Sequence, residues 1–123
     1  MDWLHISLQV LVGLGLLNVW LLRSGSETDY RGGKALTLRQ EFAEYGLSDA
    51  VFFVVGALKI GSALALLAGI WLPGAVTPAA GLVVLLMLGA LSMHLKIGDP
   101  WKRSVPAFLM LLMSGTLVFL TAA

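Results

Sequence analysis

Four long apolar runs, 3–22, 50–72, 75–95 and 105–121, leave this chain few folds. At ~1.5 Å of rise per residue, helices of about 17–23 residues match the ~30 Å hydrocarbon core of a bilayer. Composition points the same way, with 59% of residues hydrophobic and 12% charged. A soluble domain carries roughly 45–50% apolar and about 25% charged residues, and a chain this short needs more polar cover than these charges supply. The expected fold is all-α. It is a polytopic membrane four-helix bundle forming a single transmembrane domain over 1–123, with loops at 23–49 and 96–104.

The first run is read as a retained anchor. No Lys or Arg occurs in Met1-Asp2-Trp3-Leu4-His5, and no A-x-A cleavage site follows the run. Net charge is +1, which offers no basic surface for nucleic acid. With no cysteine in the chain, disulfides, zinc–thiolate sites and iron–sulfur clusters are excluded. His5 and His94 fall near opposite membrane faces, so a metal or haem site built by this subunit alone is not expected.

Basic residues are distributed unevenly. Arg23, Arg31, Lys34 and Arg39 lie between the first two runs, and Lys96, Lys102 and Arg103 between the last two. By the positive-inside rule both loops are cytoplasmic and both termini face outward.

Local signals mark the helix ends. Leu72-Pro73-Gly74 stops the second helix, Thr77-Pro78 offers an N-cap and N1 proline for the third, and Ser104-Val105-Pro106 does so for the fourth. Within the first loop, 23–34 is polar and reads as mobile. Thr37-x-x-Gln40 then forms a capping box and Gly46 a C-terminal stop. Leu38, Phe42 and Tyr45 fall on one face, with Ala35 before them, while Gln40, Glu41 and Glu44 point elsewhere. The segment reads as a short amphipathic interfacial helix.

The eighth basic residue, Lys59, stands inside the second helix, about 14 Å from its cytoplasmic end. A charge that deep costs about 2.5–3.5 kcal/mol, and such residues usually serve a ligand or a partner. Its candidate companions are Asn18, His94, Glu41 and Glu44, which could line a cytoplasm-facing polar pocket. Ala57, Gly61, Ala65 and Gly69 repeat every four residues and form a small-residue packing ridge, of the kind that also supports dimers. No nucleophile–base pair or metal constellation can be assembled, so no catalytic residue and no independent enzyme is expected.

Several motifs carry a family resemblance. Phe42-x-x-Tyr45-Gly46-Leu47, Gly56-Ala57-Leu58-Lys59-Ile60, Leu66-Leu67, Pro78-Ala79, Met87-Leu88-Gly89-Ala90 with His94, Gly98-Asp99-Pro100 and Pro106-Ala107 resemble, in order and spacing, the DoxX/DoxX-like membrane family over roughly residues 37 to 123. The resemblance implies a four-helix integral membrane protein of the bacterial cytoplasmic (inner) membrane. Members of that family include a membrane subunit of thiosulfate–quinone oxidoreductase and a membrane partner in an oxidative-stress complex. An ionisable residue commonly falls in that family where Lys59 stands.

Three functions follow as expectations. The first is a non-catalytic accessory, scaffold or assembly subunit, in contact with the lipid bilayer and with a membrane-protein partner or a second copy of itself. The second is a quinone-binding subunit of an oxidoreductase, in which Lys59 and His94 would hold a quinone carbonyl and Tyr45 or Trp101 would wall its ring. The third, a small-solute transporter, finds no inverted repeat in the sequence to support it.

Overall fold

The computed structural model describes residues 3–22 and 37–122. The polar run 23–34, Ala35 and the side chain of Leu38 lie outside the described residues. The elements are α1 (Trp3–Leu17), continued by a π-helical turn (Asn18–Leu22), then α2 (Leu38–Glu44), α3 (Asp49–Ala68), a 3₁₀ turn (Pro73–Ala75), α4 (Val76–Lys96) and α5 (Trp101–Thr121). Among the described residues there is no strand. Four segments, Trp3–Leu21, Asp49–Ala68, Pro73–Lys96 and Trp101–Thr121, are long and apolar enough to cross a membrane. The protein is an all-α four-helix membrane bundle with the short α2 at one end.

The four long helices close a ring in which α1 packs on α3 and α5, and α4 packs on α3 and α5. Val12, Leu16, Ala63, Leu66, Val83, Met87 and Leu117 fill its centre. Large apolar side chains such as Leu11, Phe53, Leu85 and Phe119 remain on the outside, where hydrocarbon rather than water is the natural solvent. Helical backbone groups bond within each helix, as a bilayer requires, and several hydroxyls do the same. Ser62, Ser92, Ser114 and Thr116 each donate to the carbonyl four residues earlier.

Close approach of α1 to α3 rests on Gly13, where a Cβ would stand 3.0 Å from Leu67 Cγ and 3.2 Å from the Ala63 carbonyl. Gly69 allows the start of α4 to fold onto the end of α3, since a Cβ there would meet Val76 Cγ2 at 2.5 Å. The sequence-derived ridge divides instead of forming one seam. Gly69 is buried and Ala65 partly buried, but Ala57 and Gly61 are exposed, and nothing lies within 4 Å of a Cβ placed on Gly61. The ridge's period of four drifts around a helix of 3.6 residues per turn, so one end faces the bundle and the other leaves it.

Two helix starts differ from the sequence expectation. α5 begins at Trp101 and carries Pro106 inside it; its first turn, Trp101-Lys102-Arg103-Ser104, is polar, so hydropathy alone placed the start too late. α4 begins at Val76 with Ala75 as its N-cap and so no side-chain cap; Thr77 falls inside the helix, where its hydroxyl donates across to Thr121 Oγ1 at 2.7 Å. The second helix also ends earlier than the apolar run, with Gly69 as its C-cap.

Candidate functional site

Two glycine-terminated helices build the polar end of the bundle. α2 starts at Thr37, whose hydroxyl accepts from the Gln40 N–H at 3.2 Å. It ends in a Schellman turn, with Gly46 at φ 79°, Gly46 N–H bonded to the Ala43 carbonyl and Leu47 N–H to the Phe42 carbonyl. α4 ends the same way: Gly98 has φ 71°, and the Gly98 and Asp99 amides bond the Leu95 and His94 carbonyls. Only glycine takes this left-handed conformation without strain. Lys96 Nζ joins the two ends by donating to the Tyr45 carbonyl at 3.0 Å, a cation at the negative end of the α2 dipole.

The α4 turn brings Asp99 back onto its own helix. Asp99 Oδ2 lies 2.8 Å from His94 Nδ1, and Asp99 Oδ1 accepts from Arg103 Nη1 at 2.8 Å. A carboxylate beside a guanidinium has no proton to offer, so Nδ1 carries the hydrogen and Nε2 faces α2. There the Tyr45 hydroxyl sits 3.4 Å from Nε2 and donates to Glu41 Oε1, which is itself 3.9 Å from Nε2. Asp99 is 4% exposed, His94 5% and Glu41 11% by side chain.

The resulting series, Arg103–Asp99–His94–Tyr45–Glu41, is bonded at every link, which is what a buried polar network in low dielectric requires. These groups are strung in a line, and among the described residues no three His, Asp or Glu side chains converge as a metal site would need.

Lys59 lies beside this series. It shares the inward stripe of α3 with Gly56, Ala63 and Leu66, and its Nζ stands 5.3 Å from the centre of the Trp20 ring, within cation–π range. Glu41 is the carboxylate whose charge acts on it. Among the described residues the ammonium makes no hydrogen bond or ion pair. Trp20 is pressed against Gly56, where a Cβ would come within 2.6 Å of its ring, and it meets Phe42 edge-to-face and Phe52 at a tilt, with ring centres 5.8 and 5.1 Å away. Outside this cluster, Arg39 pairs with Asp49 at 2.5 Å, and that bonded carboxylate holds the guanidinium above its ordinary pKa.

Of the sequence candidates, the structure brings Glu41, Tyr45 and His94 together and sets Lys59 next to them. Glu41 was expected to point away from the apolar face of α2; it is buried, because Tyr45 one turn later supplies a donor for it. Glu44 and Asn18 are exposed, and Trp101 is 80% exposed at the start of α5. Asp99, Arg103 and Trp20 were not among the candidates. The signal for Asp99 was present as Gly98-Asp99, a Schellman glycine followed by an acid five residues after a histidine.

A family model described as the DoxX-like family matches residues 12–116, reaching back into α1 beyond the stretch read from motifs. No curated protein and no solved structure matches the chain.

Proposed function

The chain belongs to the DoxX-like family, and we propose that it serves as a non-catalytic accessory or assembly subunit of a membrane complex, offering its α2 end and Lys59 to a partner. The observation that carries this reading is how the polar tier is used. Asp99, His94, Tyr45 and Glu41 are bonded in series to one another, and Lys96 ties α2 to α4. Such a tier clamps a helix in place, its polar groups turned toward one another. The bundle centre is likewise filled by Leu66, Val83 and Leu117, which favours a subunit over a transport path. In the bacterial cytoplasmic membrane, with the basic loops inside, this end faces the cytoplasm.

Lys59 supports the partner-binding part of the proposal. An ammonium at that depth gains from a carboxylate or carbonyl supplied by a neighbouring chain. The test is native mass spectrometry after gentle extraction from the source membrane. The proposal expects the chain in a larger assembly, and a Lys59→Met variant recovered folded but alone; a wild-type chain recovered only as a monomer argues against it.

A second reading has a specific observation in its favour. The Lys59 ammonium beside the Trp20 ring presents a donor next to an aromatic wall, the pairing a quinone carbonyl and ring would use. Quinone co-extracted with wild-type protein and lost in Lys59→Met would favour this reading, whereas its absence from both would remove it.

A further inference from the structure

We propose that the recess at the Pro73 end of the bundle binds a membrane amphiphile whose polar end is a hydroxyl group. The recess has a volume of about 370 Å³ and is lined by His5, Ile6, Gln9, Ile70, Val76 and Leu120, among others. That size is within the range of small-molecule sites, and the wall of Ile6, Ile70, Val76 and Leu120 suits an acyl chain or ring.

Gln9 defines the chemistry. The residue is 3% exposed, and its Nε2 donates to the Leu66 carbonyl at 2.9 Å. That carbonyl lies near the end of α3, where the Ile70 amide bonds Leu67 instead. A carbonyl acceptor fixes the orientation of the amide, because only the NH₂ branch can donate. Gln9 Oε1 is therefore an acceptor, and among the described residues nothing donates to it. A buried amide oxygen without a donor is strongly disfavoured in hydrocarbon.

The neighbouring hydroxyl does not fill the role. The Thr121 hydroxyl already donates to the Leu117 carbonyl and accepts from Thr77, both at 2.7 Å. Gly69 keeps the arrangement open, since a Cβ there would lie 3.1 Å from Gln9 Nε2 and 2.5 Å from Val76 Cγ2. An uncharged amide acceptor beside Ile6, Ile70 and Leu120 favours a neutral donor. A hydroxyl meets that demand, and an ether, an ester or a choline headgroup does not. This site lies at the opposite end of the bundle from the Lys59 region and is independent of the function proposed above.

The experiment uses the full chain in nanodiscs of phosphatidylcholine, a lipid with no hydrogen-bond donor. Photoreactive 1-decanol and its methyl ether are compared by mapping crosslinks. The alcohol should label segments carrying Ile6, Ile70 and Leu120 about three- to tenfold more than the ether, the preference one hydrogen bond supplies. Ile6→Trp, which fills the recess and leaves the Gln9–Leu66 bond in place, should abolish the labelling, and Gln9→Leu should abolish the preference. Displacement by phosphatidylglycerol would identify a lipid headgroup as the occupant, and displacement by single-chain alcohols alone a free lipophilic alcohol. Equal labelling by alcohol and ether, or labelling unchanged in Ile6→Trp, would overturn the proposal.

Discussion

His94 and Asp99 are five residues apart, and the turn that ends α4 folds the acid back until its Oδ2 lies 2.8 Å from His94 Nδ1. One glycine makes this possible. Gly98 at φ 71° carries the chain through the left-handed region, so the carboxylate that orients the histidine comes from the helix's own C-terminal cap.

Gly98→Ala should therefore act on the histidine as well as on the backbone. A Cβ in the left-handed region costs about 1–2 kcal/mol, and relaxing that strain withdraws Asp99 from Nδ1. The expected results are a lower midpoint of thermal unfolding in detergent and a change in the His94 ring ¹⁵N shifts toward a mixed tautomer. Gly46→Ala, at φ 79°, should show comparable destabilisation with the His94 tautomer retained.

Tyr45→Phe removes the hydroxyl that touches both Glu41 and His94. Burying those groups without their bridge should lower stability by about 1–3 kcal/mol. Combined with Glu41→Gln, the loss should be less than the sum of the single losses by about 0.5–3 kcal/mol, since both changes break one network. A strictly additive pair in chemical denaturation would show that the series is not coupled.

Glycines on α3 should separate by position. Gly56→Ala sets a Cβ 2.6 Å from the Trp20 ring and should cost about 1–3 kcal/mol through overpacking, with a shift in Trp20 emission. Gly61→Ala meets nothing within 4 Å and should raise stability by roughly 0.5–1 kcal/mol through helix propensity. Unfolding curves for the two variants side by side decide it.

Much of the architecture was legible because the bilayer demands long apolar helices, and hydropathy reads those directly. Polar first turns escape that reading, which is why α5 starts at Trp101 rather than Val105. At the site, Lys59 and His94 stood out as ionisable groups in or beside apolar runs. Glu41 illustrates the limit. Its place on α2 suggested the solvent side, and only Tyr45 and His94, the latter brought from α4 by tertiary packing, explain why it turns inward. Trp20 was hidden for a related reason: an aromatic residue in an apolar helix looks like any other until Gly56 on another helix is seen to make room for it.

Lys59→Met separates binding of a partner from stability of the fold. A partly buried ammonium with no bonded partner among the described residues contributes little to the fold, and a methionine of similar shape spares its desolvation. The isolated variant should match or exceed wild type in thermal midpoint. Native mass spectrometry of gently extracted membranes should find wild type bound to a partner chain and the variant alone. A variant that keeps its partner in full, at unchanged stability, would contradict the partner-binding role of Lys59.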